Sequence, residues 1–150
     1  MSRNLLLIED DKKKIEDIKS FIRGEFPDYK LSSKESYQTG MKELIMQRFD
    51  LLLLDMSLPT WETAQYEAVG SFEKFGGFNI MRELKRKKLY VKTILITMFD
   101  DFGESDTSVT LSQIDIVLKN EFPDFYVGYV FYNSRETKWQ TSLKNYLLNL

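Results

Sequence analysis

Asp50-Leu51-Leu52-Leu53-Leu54-Asp55-Met56-Ser57-Leu58-Pro59 is an apolar run that stops at a carboxylate and passes into a proline-marked loop. Four successive leucines without polar alternation suit a central parallel strand covered on both faces. Periodicity alone also admits a short buried helix, but the length of the run and the stop at Pro59 favour a strand. In open α/β sheets the ligand crevice lies outside the carboxyl ends of the strands, so Asp55 would stand where chemistry occurs. An Asp at a strand end also simply opens turns, and the rest of the chain weighs between the two readings.

Upstream, Asn4-Leu-Leu-Leu-Ile8 is a second uninterrupted run, and it leads straight into Glu9-Asp10-Asp11. Ile15, Ile18, Phe21 and Ile22 then recur at helical spacing, with Asp10 or Asp11 as the cap. Capping accounts for one acid, not three. Gly24 and Pro27 close this helix, Tyr29 to Ser36 reads as a weaker strand, and Tyr37 to about Arg48 as a helix with Met41, Leu44 and Ile45 on its apolar side.

Downstream, Gly76-Gly77 introduces a helix through Phe78, Ile80, Met81 and Leu84. Its end carries Lys85-Arg86-Lys87-Lys88, which complements the helix dipole and is solvated, a reading preferred to a phosphate-binding patch. Val91 to Thr97 is a β-branched strand ending in a hydroxyl. Thr110 and Gln113 have capping-box spacing before a helix to about Asn120. Phe125 to Tyr132 gives the fifth strand, and Glu136 to Leu150 a last helix with Trp139, Leu143, Tyr146, Leu147 and Leu150 on its apolar side. Glu-Phe-Pro-Asp occurs at 25–28 and again at 121–124, each time between a helix and a strand, as one local way of ending a helix. Two stretches are long for a compact domain. One, near 60–76, holds Trp61, Tyr66, Phe72 and Phe75 and reads as a lid over the sheet edge in preference to a docking surface; the other, near 99–110, is acidic.

The chain of 150 residues fits a single domain, 1–150, with no output domain left over. It contains neither cysteine nor histidine. That removes disulfides, Ser-His-Asp and Cys-His catalysis, and histidine-ligated metals, leaving carboxylates, hydroxyls and oxygen-liking cations. A formal net charge of −2 argues against a general nucleic-acid binder. With no signal peptide and no apolar run long enough to span a bilayer, the expected setting is cytoplasmic and away from membranes.

Five strands alternating with helices specify a doubly wound parallel sheet in a three-layer α/β/α arrangement. Its strand tips would crowd Glu9, Asp10, Asp11 and Asp55, and like charges that close repel unless a cation sits among them. Magnesium suits such a site, since it takes one or two carboxylates, keeps waters and pairs with phosphate oxygens. Thr97 adds a hydroxyl to the same crevice. This set suits phosphoryl transfer to a carboxylate nucleophile.

With Glu9-Asp10 after the first strand, Asp55-Met-Ser-Leu-Pro59 after the third and Thr97 after the fourth, the chain resembles the receiver domains of two-component response regulators, of the chemotaxis-regulator type. The resemblance covers nearly the whole chain. It implies strand order 2-1-3-4-5 and a phosphorelay role, with Asp55 as phospho-acceptor from a sensor histidine kinase and Thr97 contacting the phosphoryl group. It also implies Mg²⁺ (or Mn²⁺) on Asp10, Asp55 and the Ser57 backbone carbonyl, Glu9 holding a metal-bound water, and Tyr129 as a switch aromatic. Such a chain signals to a downstream protein, with a homodimer among the candidate assemblies. It is no enzyme beyond its own phosphorylation and dephosphorylation.

Three features depart from the family pattern. Tyr132, followed by Asn133 and Ser134, stands where a lysine is expected, so that Asn133 or Ser134 would supply neutral phosphoryl contacts, roughly half as strong as charge-assisted ones. Met98 replaces a small residue, and both long stretches add surface near the active face. The alternative is a degenerate receiver that binds protein without phosphorylation. Haloacid dehalogenase-type phosphatases need a second Asp where Ser57 stands, and flavodoxin-like FMN binding needs a phosphate loop where Glu9-Asp10-Asp11 stands.

Overall fold

Neighbouring residues on a strand face opposite sides of its sheet, and the leucine run divides accordingly. Leu52 and Leu54 pack with one set of buried side chains, Leu51 and Leu53 with the other. All four are at most 1% exposed, which is why no polar residue interrupts them. The computed structural model describes residues 2–57, 76–98, 101–102 and 109–150; all but the last residue of the aromatic lid expected near 60–76, and much of the acidic stretch, lie outside them.

The elements run β1 (Arg3–Ile8), α1 (Lys12–Glu25), β2 (Tyr29–Lys34), α2 (Tyr37–Met46), β3 (Leu51–Leu54), α3 (Gly76–Lys87), β4 (Lys92–Thr97), β5 (Asp101–Phe102), β6 (Val109–Thr110), α4 (Leu111–Glu121), β7 (Tyr126–Phe131) and α5 (Lys138–Leu148). The main sheet is parallel throughout, in the order β2-β1-β3-β4-β7. With β7 as its fifth strand, this is the expected 2-1-3-4-5. Ile15, Ile18 and Ile22 of α1 and Trp139, Leu143 and Leu147 of α5 cover one face. On the other face lie Met41 and Leu44 of α2, Ile80, Met81 and Leu84 of α3, and Leu111, Ile114 and Leu118 of α4.

The strand order reverses between β1 and β3, and the crevice at such a switch point opens beyond the strand ends. The register Ile8↔Leu54 and Leu54↔Leu95 brings Glu9, Asp55 and Ile96 to the same level there. Backbone bonds extend the ladder past the strand ends, from Asp55 N–H to Ile8 O (3.2 Å) and from Glu9 N–H to Lys34 O (2.9 Å).

Local signals behave as their chemistry demands. Asp11, not Asp10, caps α1, its side chain accepting from Lys14 N–H. Ser36 with Thr39 and Thr110 with Gln113 form capping boxes. The two Glu-Phe-Pro-Asp segments act alike: Phe26 and Phe122 cap α1 and α4 with similar backbone angles, and each donates its N–H to a carbonyl four residues back. The second long stretch contains an element the sequence did not suggest, a two-residue antiparallel ladder pairing Asp101 with Thr110 and Phe102 with Val109.

Candidate functional site

Two strand tips and one helix build the site. Glu9 is 1% exposed and Asp55 4% exposed, whereas Asp10 faces solvent. One carboxylate oxygen from each of Glu9, Asp10 and Asp55 lies within 4.8 Å of the others. Glu9 turns inward because its Oε2 accepts from the backbone N–H groups of Asp10 (3.2 Å) and Asp11 (3.1 Å), a short nest formed as the chain enters α1. Ser57 Oγ donates to Asp55 Oδ2 (3.2 Å) and weakly to Oδ1 (3.5 Å).

Proximity and burial carry an electrostatic cost. Burial pushes Glu9 up to about 7, against the pull of Lys14 and with the charge of Asp55 adding to the rise. Asp10 also sits above its ordinary range, through desolvation first and Asp55 second. Glu9 Oε1 is buried, and the ammonium of Lys14 lies 2.5 Å from it. Clustered carboxylate oxygens, in a chain without histidine or cysteine, fit a hard divalent cation.

A cation of the protein's own is also present. Lys14, on the third residue of α1, is fully buried. Its ammonium donates to the Ile96 carbonyl (2.7 Å), lies 2.5 Å from Glu9 Oε1 and 3.7 Å from Asp55 Oδ1, and faces the Tyr132 ring with 5.7 Å to the centroid. A search confined to the end of the fifth strand misses it. The available signal was spacing: Lys14 falls on the stripe of Ile15, Ile18 and Ile22, where a lysine is out of place unless its charge is used.

The other expected residues fall as follows. Thr97, at the end of β4, is fully buried, and its carbonyl accepts from Tyr132 N–H (2.8 Å). Asn133 Oδ1 accepts from Arg135 N–H (2.9 Å), ordering the turn after β7. Asn133 and Ser134 line a cleft of about 450 Å³ with Asp11, Lys13, Met98, Phe131 and Tyr132. Tyr129 is half-buried on β7 and packs against the core on the α4 side. Tyr132 is itself buried, and its hydroxyl donates to Asp17 Oδ2 (2.5 Å) of α1.

A five-stranded parallel sheet in this order, with acids at its switch point, is the fold of response regulator receiver domains, and matching solved structures are receivers. One is the response regulator TrrA of Thermotoga maritima in complex with Mg²⁺ and BeF, 18% identical with a TM-score of 0.62, covering 96% of this chain and 98% of that one. Among curated sequences, the chain is 24% identical to the Detocs response regulatory protein DtcB of Enterobacter cloacae, over 93% of this chain and 94% of that protein. It is 26% identical to the uncharacterized protein y4jR of Sinorhizobium fredii, over 97% of each. No protein-family model matches the chain.

Proposed function

We propose that the chain is a phospho-acceptor receiver: Asp55 takes a phosphoryl group from the phosphohistidine of a kinase, and the altered surface signals to a protein partner. The observation that carries this reading is the convergence of the Glu9, Asp10 and Asp55 oxygens within 4.8 Å at the switch point. A carboxylate oxygen of Asp55 attacks phosphorus and forms an acyl phosphate. The bond from phosphorus to the donor nitrogen breaks, and its electron pair stays on the donor imidazole. Asp10, Asp55 and the Ser57 carbonyl would hold Mg²⁺ or Mn²⁺, with Glu9 orienting a bound water. Bound there, the cation neutralises charge on the transferring group. Thr97, Asn133 and Ser134 supply neutral donors at the β4 and β7 ends.

The test is incubation with Mg²⁺ and acetyl phosphate, read by intact mass. Wild type and Asp50→Asn gain one phosphoryl group, because Asp50 binds the Asn4 N–H (2.8 Å) at the opposite end of β3. Asp55→Asn gains none. A gain that survives Asp55→Asn, or no gain with either acetyl phosphate or a cognate kinase, defeats the reading. One observation favours the rival, a phosphorylation-independent binding module: the Lys14 ammonium already neutralises part of the acid cluster. Partner binding that is indifferent to Asp55→Asn would select it.

A further inference from the structure

We infer that Lys14 is the cation that pairs with a phosphoryl group on Asp55, supplying from helix α1 the charge that the end of β7 lacks. The inference rests on the phospho-acceptor reading and adds the residue that completes its site.

Burying an ammonium is costly unless it is paired, and packing does not require one here. The same stripe of α1 uses Ile15, Ile18 and Ile22. Lys14 is the only buried lysine among the described residues. An ammonium has three donors. One is committed to Ile96 O at 2.7 Å, and the Glu9 contact occupies a second. The approach to Asp55 Oδ1, at 3.7 Å, is an ion-pair distance longer than a hydrogen bond, so one donor is left over on the Asp55 side.

Its position is as telling as its charge. In the sheet, β3 lies between β1 and β4. Asp10 flanks Asp55 from the β1 end and is open to solvent, whereas the ammonium is anchored on β4 at the residue before Thr97. The ammonium, held between Glu9 at the β1 end and Ile96 O on β4, and a cation entering at Asp10 would both reach a phosphoryl group on Asp55. Tyr132 keeps Lys14 in place: its ring covers the ammonium, and its hydroxyl is bonded to Asp17 one helical turn further along α1. Tyr132 thus stands at the strand end in a holding role, and the charge comes from the helix. It follows that phosphorylation would load α1 and β4 through Lys14.

Beryllofluoride with Mg²⁺ is the probe, followed by the fluorescence of Trp139, whose ring lies 5.3 Å from that of Tyr132. Mg²⁺ alone is titrated in parallel. Lys14→Met is expected to bind Mg²⁺ at least as well as wild type but beryllofluoride about ten- to a hundredfold more weakly, the loss of one charge-assisted bond. Adding Tyr132→Lys to Lys14→Met should recover part of the loss by returning an ammonium from the strand side. Lys14→Gln, which keeps a donor but no charge, carries the same test if circular dichroism shows Lys14→Met to be unfolded. Wild-type-like beryllofluoride affinity in a folded Lys14 variant overturns the inference and leaves the phospho-acceptor reading standing. A Lys14 variant that loses Mg²⁺ and beryllofluoride together also overturns it, since the ammonium would then only hold the acids in place. Wild type that binds neither probe brings down the phospho-acceptor reading itself.

Discussion

Gly77→Ala would place a methyl group against the backbone that leads out of β3 at Asp55. A Cβ there would lie 2.4 Å from the Asp55 carbonyl oxygen and 2.7 Å from Met56 Cα, where ordinary contacts begin near 3.4 Å. The Gly77 N–H also donates to Met56 O at 3.1 Å, so α3 starts in direct contact with the chain leaving β3. Neither neighbour is the free end of a side chain, and relief requires α3 and the Asp55 peptide to separate by roughly 1 Å. Overpacking of this kind costs about 1–3 kcal/mol, and backbone on both sides puts Gly77→Ala near the top, about 2–3 kcal/mol. For a domain of this size that lowers Tm by roughly 5–10 °C. Gly24→Ala is the control. Gly24 is exposed within α1 and has nothing within 4 Å of an added Cβ, so better helix propensity should stabilise it by about 0.5–1 kcal/mol. Urea unfolding of both variants measures the contrast. A Gly77→Ala protein as stable as wild type, or a Gly24→Ala protein destabilised to the same extent, refutes the close-approach argument.

Glu9, raised by burial to about 7 from an ordinary 4.5, binds its proton more tightly in the folded chain. Its contribution is therefore complete below the ordinary value and is lost as pH rises through about 7. Metal-free protein should be more stable at about pH 5.5 than at about pH 8, and Glu9→Gln should flatten that trend in denaturant titrations; a trend of the opposite sign in wild type contradicts the assignment. Mg²⁺ at ten times its Kd should stabilise the folded state by roughly 1–2 kcal/mol, and thermal unfolding of Asp10→Ala should show no such rise. Tyr132→Phe keeps the ring over Lys14 but deletes the bond to Asp17. Calorimetry should report a loss of about 1–2 kcal/mol, and an unchanged Tm would mean the hydroxyl does not tie β7 to α1.

Short-range chemistry was legible from the chain alone. The runs Leu5–Ile8 and Leu51–Leu54 announce strands covered on both faces, because only such strands need no polar alternation. Ser36, Thr110 and the paired Glu-Phe-Pro-Asp segments mark helix ends because a cap acts within four residues. Asp10 and Asp55 stand at strand ends, and the parallel topology alone brings such ends to one edge. Lys14, Tyr132 and Gly77 needed the tertiary structure. Lys14 meets Ile96 across 82 residues and Tyr132 meets Asp17 across 115, and no local period encodes which side chain reaches across the sheet. The sequence places acids at the strand ends, but the packing of α1 against β4 and β7 decides that an ammonium stands among them.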